Sequence, residues 1–326
     1  MGGRLEKETQ ARDRIEEKLN KEPEILTSFY NWMDAREKTF NTIEKYIDHV
    51  IEFRKYYCKG KKDEEFYKKV TDDDIERYMV YIRKKTIDGK VVELGDSIRA
   101  TKWSALNTFF GFLVKKKYIS VNPVSLTERP RIRTKKPVVY MTDEETKSVF
   151  ERIEKESTRK LKNRDICIVA LGLCTGLRVS AIVNINVEDI DFHTSVIRVV
   201  EKGKKTREIP FGENFRNILL IWLKDRELFF NGERDSGPLF ISRKKQRLSV
   251  DSVQEMINKY TSHLSKHITP HKLRSSAAMN LYKSNVGVLT IASILGHENI
   301  TTTQHYISAF EEEKENAINI LDKKMF

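Results

Sequence analysis

A nine-residue stretch divides this chain: Arg129-Pro130-Arg131-Ile132-Arg133-Thr134-Lys135-Lys136-Pro137, with five basic residues, two prolines and no acid. Proline fixes φ and removes a backbone donor, and crowded like charges repel, so the stretch reads as an extended linker rather than a packed element. A length of 326 residues suits two domains of ordinary size on either side of it. Such domains bury cores without disulfides or metals. The expected divisions are a charged N-terminal segment (1–23), a helical domain (24–123), the basic linker (124–137), a larger domain (138–310) and a tail (311–326).

Residues 4–20 are almost all polar or charged, and would form a solvated helix or stay unstructured. After Pro23 the pattern becomes helical. Ile25, Leu26, Phe29, Trp32 and Met33 recur at spacings of three and four, and so do Tyr46, Ile47, Val50, Ile51, Phe53 and Tyr57. Thr71-Asp72-Asp73-Asp74 resembles an N-cap with acidic first-turn residues. Residues 86–96, with Gly89 and Gly95, read as a loop, and Ser97 opens a further helix ending before Asn122-Pro123. The first domain is thus expected to be a bundle of roughly four helices.

Beyond the linker, Thr142-Asp143-Glu144-Glu145 has the form of a capping box. A helix is expected near 164–175. Val196-Ile197-Arg198-Val199-Val200 and Arg207-Glu208-Ile209-Pro210 read as two strands of a hairpin with a basic tip, Lys202-Gly203-Lys204-Lys205. Helices follow from about 213, with a break at Gly237-Pro238-Leu239-Phe240. The fold class is mainly α with one small antiparallel β-sheet (α+β). No glycine-rich nucleotide motif is present, so nucleotide hydrolysis has no support.

Lys and Arg number 60 against 48 Asp and Glu, a formal net charge of +12, which favours a polyanionic partner such as nucleic acid. The three cysteines, Cys58, Cys167 and Cys174, have no zinc-type spacing, which fits a reducing cytoplasm. Cys167 and Cys174 lie seven apart in an apolar run and are expected on one helix face as small buried side chains. No apolar stretch is long enough for a membrane span.

Breaking a phosphodiester without a metal needs cations on the non-bridging oxygens, a nucleophile, and a proton for the leaving oxygen. Three short motifs offer these. In Cys174-Thr175-Gly176-Leu177-Arg178, a glycine and an arginine end an apolar helix. In Thr269-Pro270-His271-Lys272-Leu273-Arg274, Pro270 starts a helix with His271 and Arg274 one turn apart. In Leu295-Gly296-His297, continuing to Gln304-His305-Tyr306, a tyrosine stands nine residues after a histidine. His263, His267 and His271 share a helix-like spacing, but Pro270 interrupts it and no metal site is expected.

These motifs, in this order, resemble the tyrosine recombinase (phage-integrase) family, whose signature is Arg…Lys…His-x-x-Arg…His/Trp…Tyr. Lys202 falls in the hairpin where that family carries its lysine. Thr39-Phe40-Asn41-Thr42, Val70-Thr71 and Phe109-Phe110-Gly111-Phe112 through Asn122-Pro123 are similar to its helical, SAM-like core-binding domain, so the likeness spans roughly residues 24–310. One position departs: the family often has Glu three residues after its first arginine, and here Ala181 stands there, with Glu188 and Asp189 the nearby acids.

The resemblance implies a C-shaped clamp on DNA and a metal- and ATP-independent transesterification, with no cofactor. Arg178 and Arg274 would clamp the scissile phosphate. Tyr306 would attack phosphorus to give a 3′-phosphotyrosyl link, His271 would take its proton, Lys202 would protonate the leaving 5′ oxygen and His297 would hydrogen-bond the phosphate or orient its neighbours. Phosphate contacts are expected from Arg129, Arg131, Arg133, Lys135 and Lys136 of the linker, Lys204, Lys205 and Arg207 of the hairpin, and Arg243, Lys244, Lys245 and Arg247 of a later loop. The implied partners are double-stranded DNA with inverted-repeat core sites, three further copies in a tetramer whose tails dock on neighbours, and accessory DNA-bending or excision factors. The competing readings are relaxation of DNA by a type IB topoisomerase-like enzyme, and a non-catalytic DNA-binding protein of the same fold.

Overall fold

The computed structural model describes residues 2–87, 90–132, 138–200, 206–230, 235, 237–296, 315 and 318–325. It divides into two compact units, 1–135 and 136–326.

The first unit holds five helices: α1 (Gly2–Leu19), α2 (Glu24–Asp34), α3 (Phe40–Tyr57), α4 (Asp72–Tyr81) and α5 (Asp96–Lys115). Helix α1 is not merely solvated. Ala11, Ile15 and Leu19 recur every four residues on one face and are buried in the bundle. Burying an Ile or Leu side chain contributes about 1.5–3 kcal/mol. Lys18 adds bonds to Glu44 (3.0 Å) and Asp48 (2.8 Å) on α3. The centre is aromatic: Phe29 meets Phe109 edge-on at 5.2 Å, and Phe53 meets Tyr78 edge-on at 5.1 Å, geometries that suit the ring quadrupoles. Thr71 and Asp74 form the reciprocal capping box of α4.

Within the stretch expected to be a loop, residues 86–87 and 90–93 are strand instead. Strands β1 (Lys84–Ile87) and β2 (Lys90–Glu93) pair antiparallel, Lys85 opposite Val92 and Thr86 opposite Val91. The sequence signal was Asp88-Gly89 between β-branched residues, a pairing that favours two-residue hairpin turns.

The second unit packs α6 (Asp143–Glu156), α7 (Lys162–Thr175), α8 (Val179–Asn184), α9 (Glu213–Phe230), α10 (Val250–Thr261), α11 (Pro270–Lys283) and α12 (Val288–Leu295) around a small sheet. Helix α7 runs through the core, with Cys167, Ile168, Val169, Ala170 and Leu171 all buried. Gly172 lets α11 approach, since a Cβ there would lie 3.1 Å from Leu273 Cδ1. Cys174 departs from its expected burial: seven residues past Cys167 it shares that face, but at the last turn of α7 the face has emerged at the surface.

The sheet orders β3 (Ile190–Asp191), β4 (Val196–Val200) and β5 (Thr206–Pro210), all antiparallel. Ile197 pairs with Ile209 and Val199 with Arg207. Period-two alternation turns Ile197, Val199 and Ile209 into the core. At the capping box of α6, the Thr142 amide donates to Glu145 at 2.7 Å. A helix also covers 318–325.

Candidate active site

The site is built where α7, α11 and α12 meet. Gly176 ends α7 with φ +61°, the left-handed conformation that favours glycine. Space demands glycine too: a Cβ there would collide with the buried Leu295 side chain. Two residues on, Arg178 takes extended backbone (φ −66°, ψ 142°) at the N-cap of α8 and is exposed. The turn therefore aims an arginine at solvent from a rigid base.

Pro270 occupies the first turn of α11, and His271 and Arg274 follow one turn apart. Arg274 is only 2% exposed. Its Nη1 donates to the Gly176 carbonyl at 2.7 Å and its Nη2 to the Leu295 carbonyl at 2.6 Å. A buried cation is tolerable only with such partners, and charge-assisted bonds are worth about 1.5–3 kcal/mol each. One side chain thus ties the ends of α7 and α12 to the middle of α11.

His271 remains largely exposed. Partial desolvation, then the positive charges of Lys272, Arg274 and Arg178, push its pKa below the ordinary imidazole value. All these effects favour the neutral ring, which is the form able to accept a proton. The influence of Arg178 on that ring brings Arg178, His271 and Arg274 into one electrostatic neighbourhood.

Helix α12 ends in Gly296, left-handed at φ +65°. Its last carbonyls are taken by two arginines. Arg207 donates through Nη1 to Ser293 and Ile294, both at 2.7 Å, and Arg274 takes Leu295. Cations at a helix C-terminus satisfy orphan carbonyls and oppose the negative end of the dipole.

The expected phosphate contacts divide. Arg129 and Arg131 are exposed, Arg131 lying 3.8 Å from Glu128. Arg243 and Lys244 are exposed on a tight turn in which the Lys245 amide donates to the Ser242 carbonyl. Two further residues of that set bond to the protein's own backbone. Arg247 is exposed but also bonds within the fold: Nη1 donates to Val183 O at 2.7 Å and Nη2 to Asn186 Oδ1 at 2.5 Å, which braces the end of α8. Arg207 is likewise spent on α12. Both donate to backbone carbonyls of the fold, a use that charge counting overlooks. The signal in Arg207 was its register, two residues from Ile209 on the inward face of β5. Lys202, Lys204, Lys205, Arg133, Lys135, Lys136, His297 and Tyr306 lie outside the described residues.

Ala181 is buried in α8 among the core side chains. Asp189 accepts the Asn186 amide at 2.8 Å in its own turn, and Glu188 is exposed. His263 holds Ser148 Oγ at 2.9 Å and Arg152 Nη1 at 3.0 Å. No cluster of three or more His, Cys, Asp or Glu side chains able to hold a metal occurs among the described residues, nor does any helix long and apolar enough to cross a membrane.

The chain matches the model of the Phage integrase family over residues 140–313. It is 31% identical to the tyrosine recombinase XerC of Caldanaerobacter subterraneus subsp. tengcongensis over 92% of this chain and 87% of that protein. It is 30% identical to the XerC of Syntrophus aciditrophicus over 87% and 92%. Its fold is that of the XerH site-specific recombinase, solved on its difH substrate (TM-score 0.70, 21% identity, 88% and 82% covered), and of a lambda integrase (75–356) dimer on a core site (TM-score 0.65, 20% identity, 87% and 94% covered). With a family model covering more than half its length and relatives matched nearly end to end, the chain belongs to the phage integrase family of tyrosine recombinases.

Proposed function

We infer that this tyrosine-type site-specific recombinase breaks and rejoins DNA through a 3′-phosphotyrosyl bond formed by Tyr306. The observation that carries the reading is that Arg274, one turn after His271 on α11, is bonded to the Gly176 carbonyl of the turn that presents Arg178. Two guanidinium groups beside a neutral imidazole suit a pentacoordinate phosphorane, whose added negative charge needs fixed cations. Tyr306 attacks phosphorus while His271 accepts its proton; a phenol with an ordinary pKa of about 10 needs that help. Lys202 donates a proton to the departing 5′ oxygen, and His297 hydrogen-bonds the phosphate. Reversal of the step with another strand's 5′-hydroxyl rejoins the backbone, so bond energy is conserved and neither ATP nor metal is needed.

The partner is double-stranded DNA carrying inverted core sites. The exposed linker residues Arg129 and Arg131 and the loop residues Arg243 and Lys244 support phosphate contact, and Arg133, Lys135, Lys136, Lys204 and Lys205 extend the same basic surfaces in sequence. A tetramer is the working assembly, with accessory DNA-bending factors at its margins; lambda integrase has been solved as a tetramer on a Holliday junction. Ile318, Ile320, Leu321 and Met325 are exposed on the helix at 318–325, which supports docking of the tail on a neighbouring copy.

The test is a DNA duplex nicked beside the cleavage position, which loses its 5′ fragment and traps the covalent intermediate. Wild-type protein in EDTA forms a complex that resists denaturation, and Tyr306→Phe binds the same DNA without forming it. A strict magnesium requirement would overturn the mechanism.

A further inference from the structure

Arg207 is a basic residue of the second unit whose position the reaction as described does not explain. It sits on the inward face of β5, one pair in from the end of the β4–β5 ladder, where Thr206 pairs with Val200. Apolar residues fill the other inward positions, Ile197, Val199 and Ile209. A cation in that row must be held by acceptors. Its acceptors are the Ser293 and Ile294 carbonyls, at 2.7 Å each, in the last turn of α12.

We propose that Arg207 is a positioning residue for the cleavage step, locking the start of β5 to the end of α12 so that Lys202, five residues earlier in sequence, meets the leaving oxygen. In sequence Arg207 follows Lys202 by five residues, and the carbonyls it grips precede His297 by three and four. The chain therefore passes from the strut to both reactive segments within a few residues. A guanidinium suits such a strut because its planar head is permanently charged and one of its nitrogens carries enough N–H groups to serve two successive carbonyls. The proposal rests on the reading that Lys202 is the proton donor and Tyr306 the nucleophile. In the step itself the Tyr306 oxygen bonds phosphorus, the bond from phosphorus to the 5′ oxygen breaks, and the Lys202 ammonium gives its proton to that oxygen. Misplacing the hairpin slows only the last transfer.

That selectivity supplies the test. The wild-type full chain selects a duplex from a randomised pool, its cut position is mapped, and nicked duplexes are made with oxygen or with sulfur as the 5′ bridging atom. A thiol titrates near about 8.5 and leaves as a thiolate without a proton donor. General acid catalysis is worth about 10²–10⁴-fold, so Lys202→Ala loses about that much on the oxygen substrate and recovers on sulfur. Arg207→Ala loses about tenfold or more on oxygen, recovers on sulfur, and keeps wild-type DNA affinity, a pattern that simple destabilisation does not produce. Arg207→Lys, which keeps a donor at the helix end, loses less, recovers on sulfur in the same way, and serves if the alanine variant does not fold. Wild-type rates on oxygen for either Arg207 variant, or equal losses on both substrates, would overturn the proposal. Failure of sulfur to restore Lys202→Ala would overturn the reading beneath it, and is told apart because the lysine variant itself fails.

Discussion

Arg207 on β5 and Arg274 on α11 meet at the end of α12, where between them they donate to its last three carbonyls, Ser293, Ile294 and Leu295. Two elements remote in sequence are thereby fastened to the segment that leads into His297 and Tyr306. Arg274 reaches further, to the Gly176 carbonyl, so the turn presenting Arg178 is fastened as well. The guanidinium proposed to hold the scissile phosphate is thus also a structural tie.

Arg274 and Arg178 should therefore separate in mutagenesis. Arg274→Ala leaves two carbonyls without their buried donor and destabilises the second unit by about 2–4 kcal/mol, read as a lower urea midpoint. Arg178→Ala removes an exposed side chain and costs less stability than Arg274→Ala. Both variants form no covalent complex.

Gly176→Ala places a methyl against Leu295 at a left-handed backbone position. Backbone strain of about 1–2 kcal/mol and overpacking of about 1–3 kcal/mol add. Leu295 is fully buried and cannot swing aside. In a double-mutant cycle with Leu295→Ala, the pair is less destabilised than the sum of the singles by about 1 kcal/mol or more.

The lowered pKa of His271 fixes the pH dependence. Unfolded histidine titrates at about 6.5. Below that pH the unfolded chain takes a proton that the native ring still refuses, so the stability from His271 is complete above about pH 6.5 and is lost as pH falls toward the native value. The acidic limb of covalent-complex formation accordingly lies below about pH 6.5. Lys272→Ala, which removes one of the positive neighbours, moves that limb upward; a pH–rate profile reads the shift.

In the first unit, Ile15→Ala costs about 2–5 kcal/mol in thermal or urea unfolding, because the face of α1 is buried. Glu17→Ala on its exposed face changes stability by about 0.5 kcal/mol or less.

These outcomes track what periodicity can and cannot reveal. Helices α2 to α5, α7 and the β4–β5 hairpin were legible because their apolar residues recur at the periods of helix and strand. Helix α1 was not read as packed, since only Ala11, Ile15 and Leu19 mark its buried face among many charges. Strands β1 and β2 were hidden because Gly89 and Gly95 were read as marking a loop throughout, although β-branched residues flank Asp88-Gly89 in the sequence. Motif spacing led to Arg178, His271 and Arg274. The duties of Arg207 and Arg247 were invisible to charge counting, because an arginine bound to phosphate and one bound to a helix end look alike in sequence. Only the acceptors that surround them in the fold tell the two apart.

The central claim is that Tyr306, one of twelve tyrosines, carries the covalent bond to DNA. Wild-type protein is trapped on a nicked duplex, the DNA is trimmed by nuclease, and the peptides are sequenced by mass spectrometry. The nucleotide remnant is predicted on the phenolic oxygen of Tyr306 and nowhere else. A remnant on any other residue, or an undiminished adduct in Tyr306→Phe, would contradict the account.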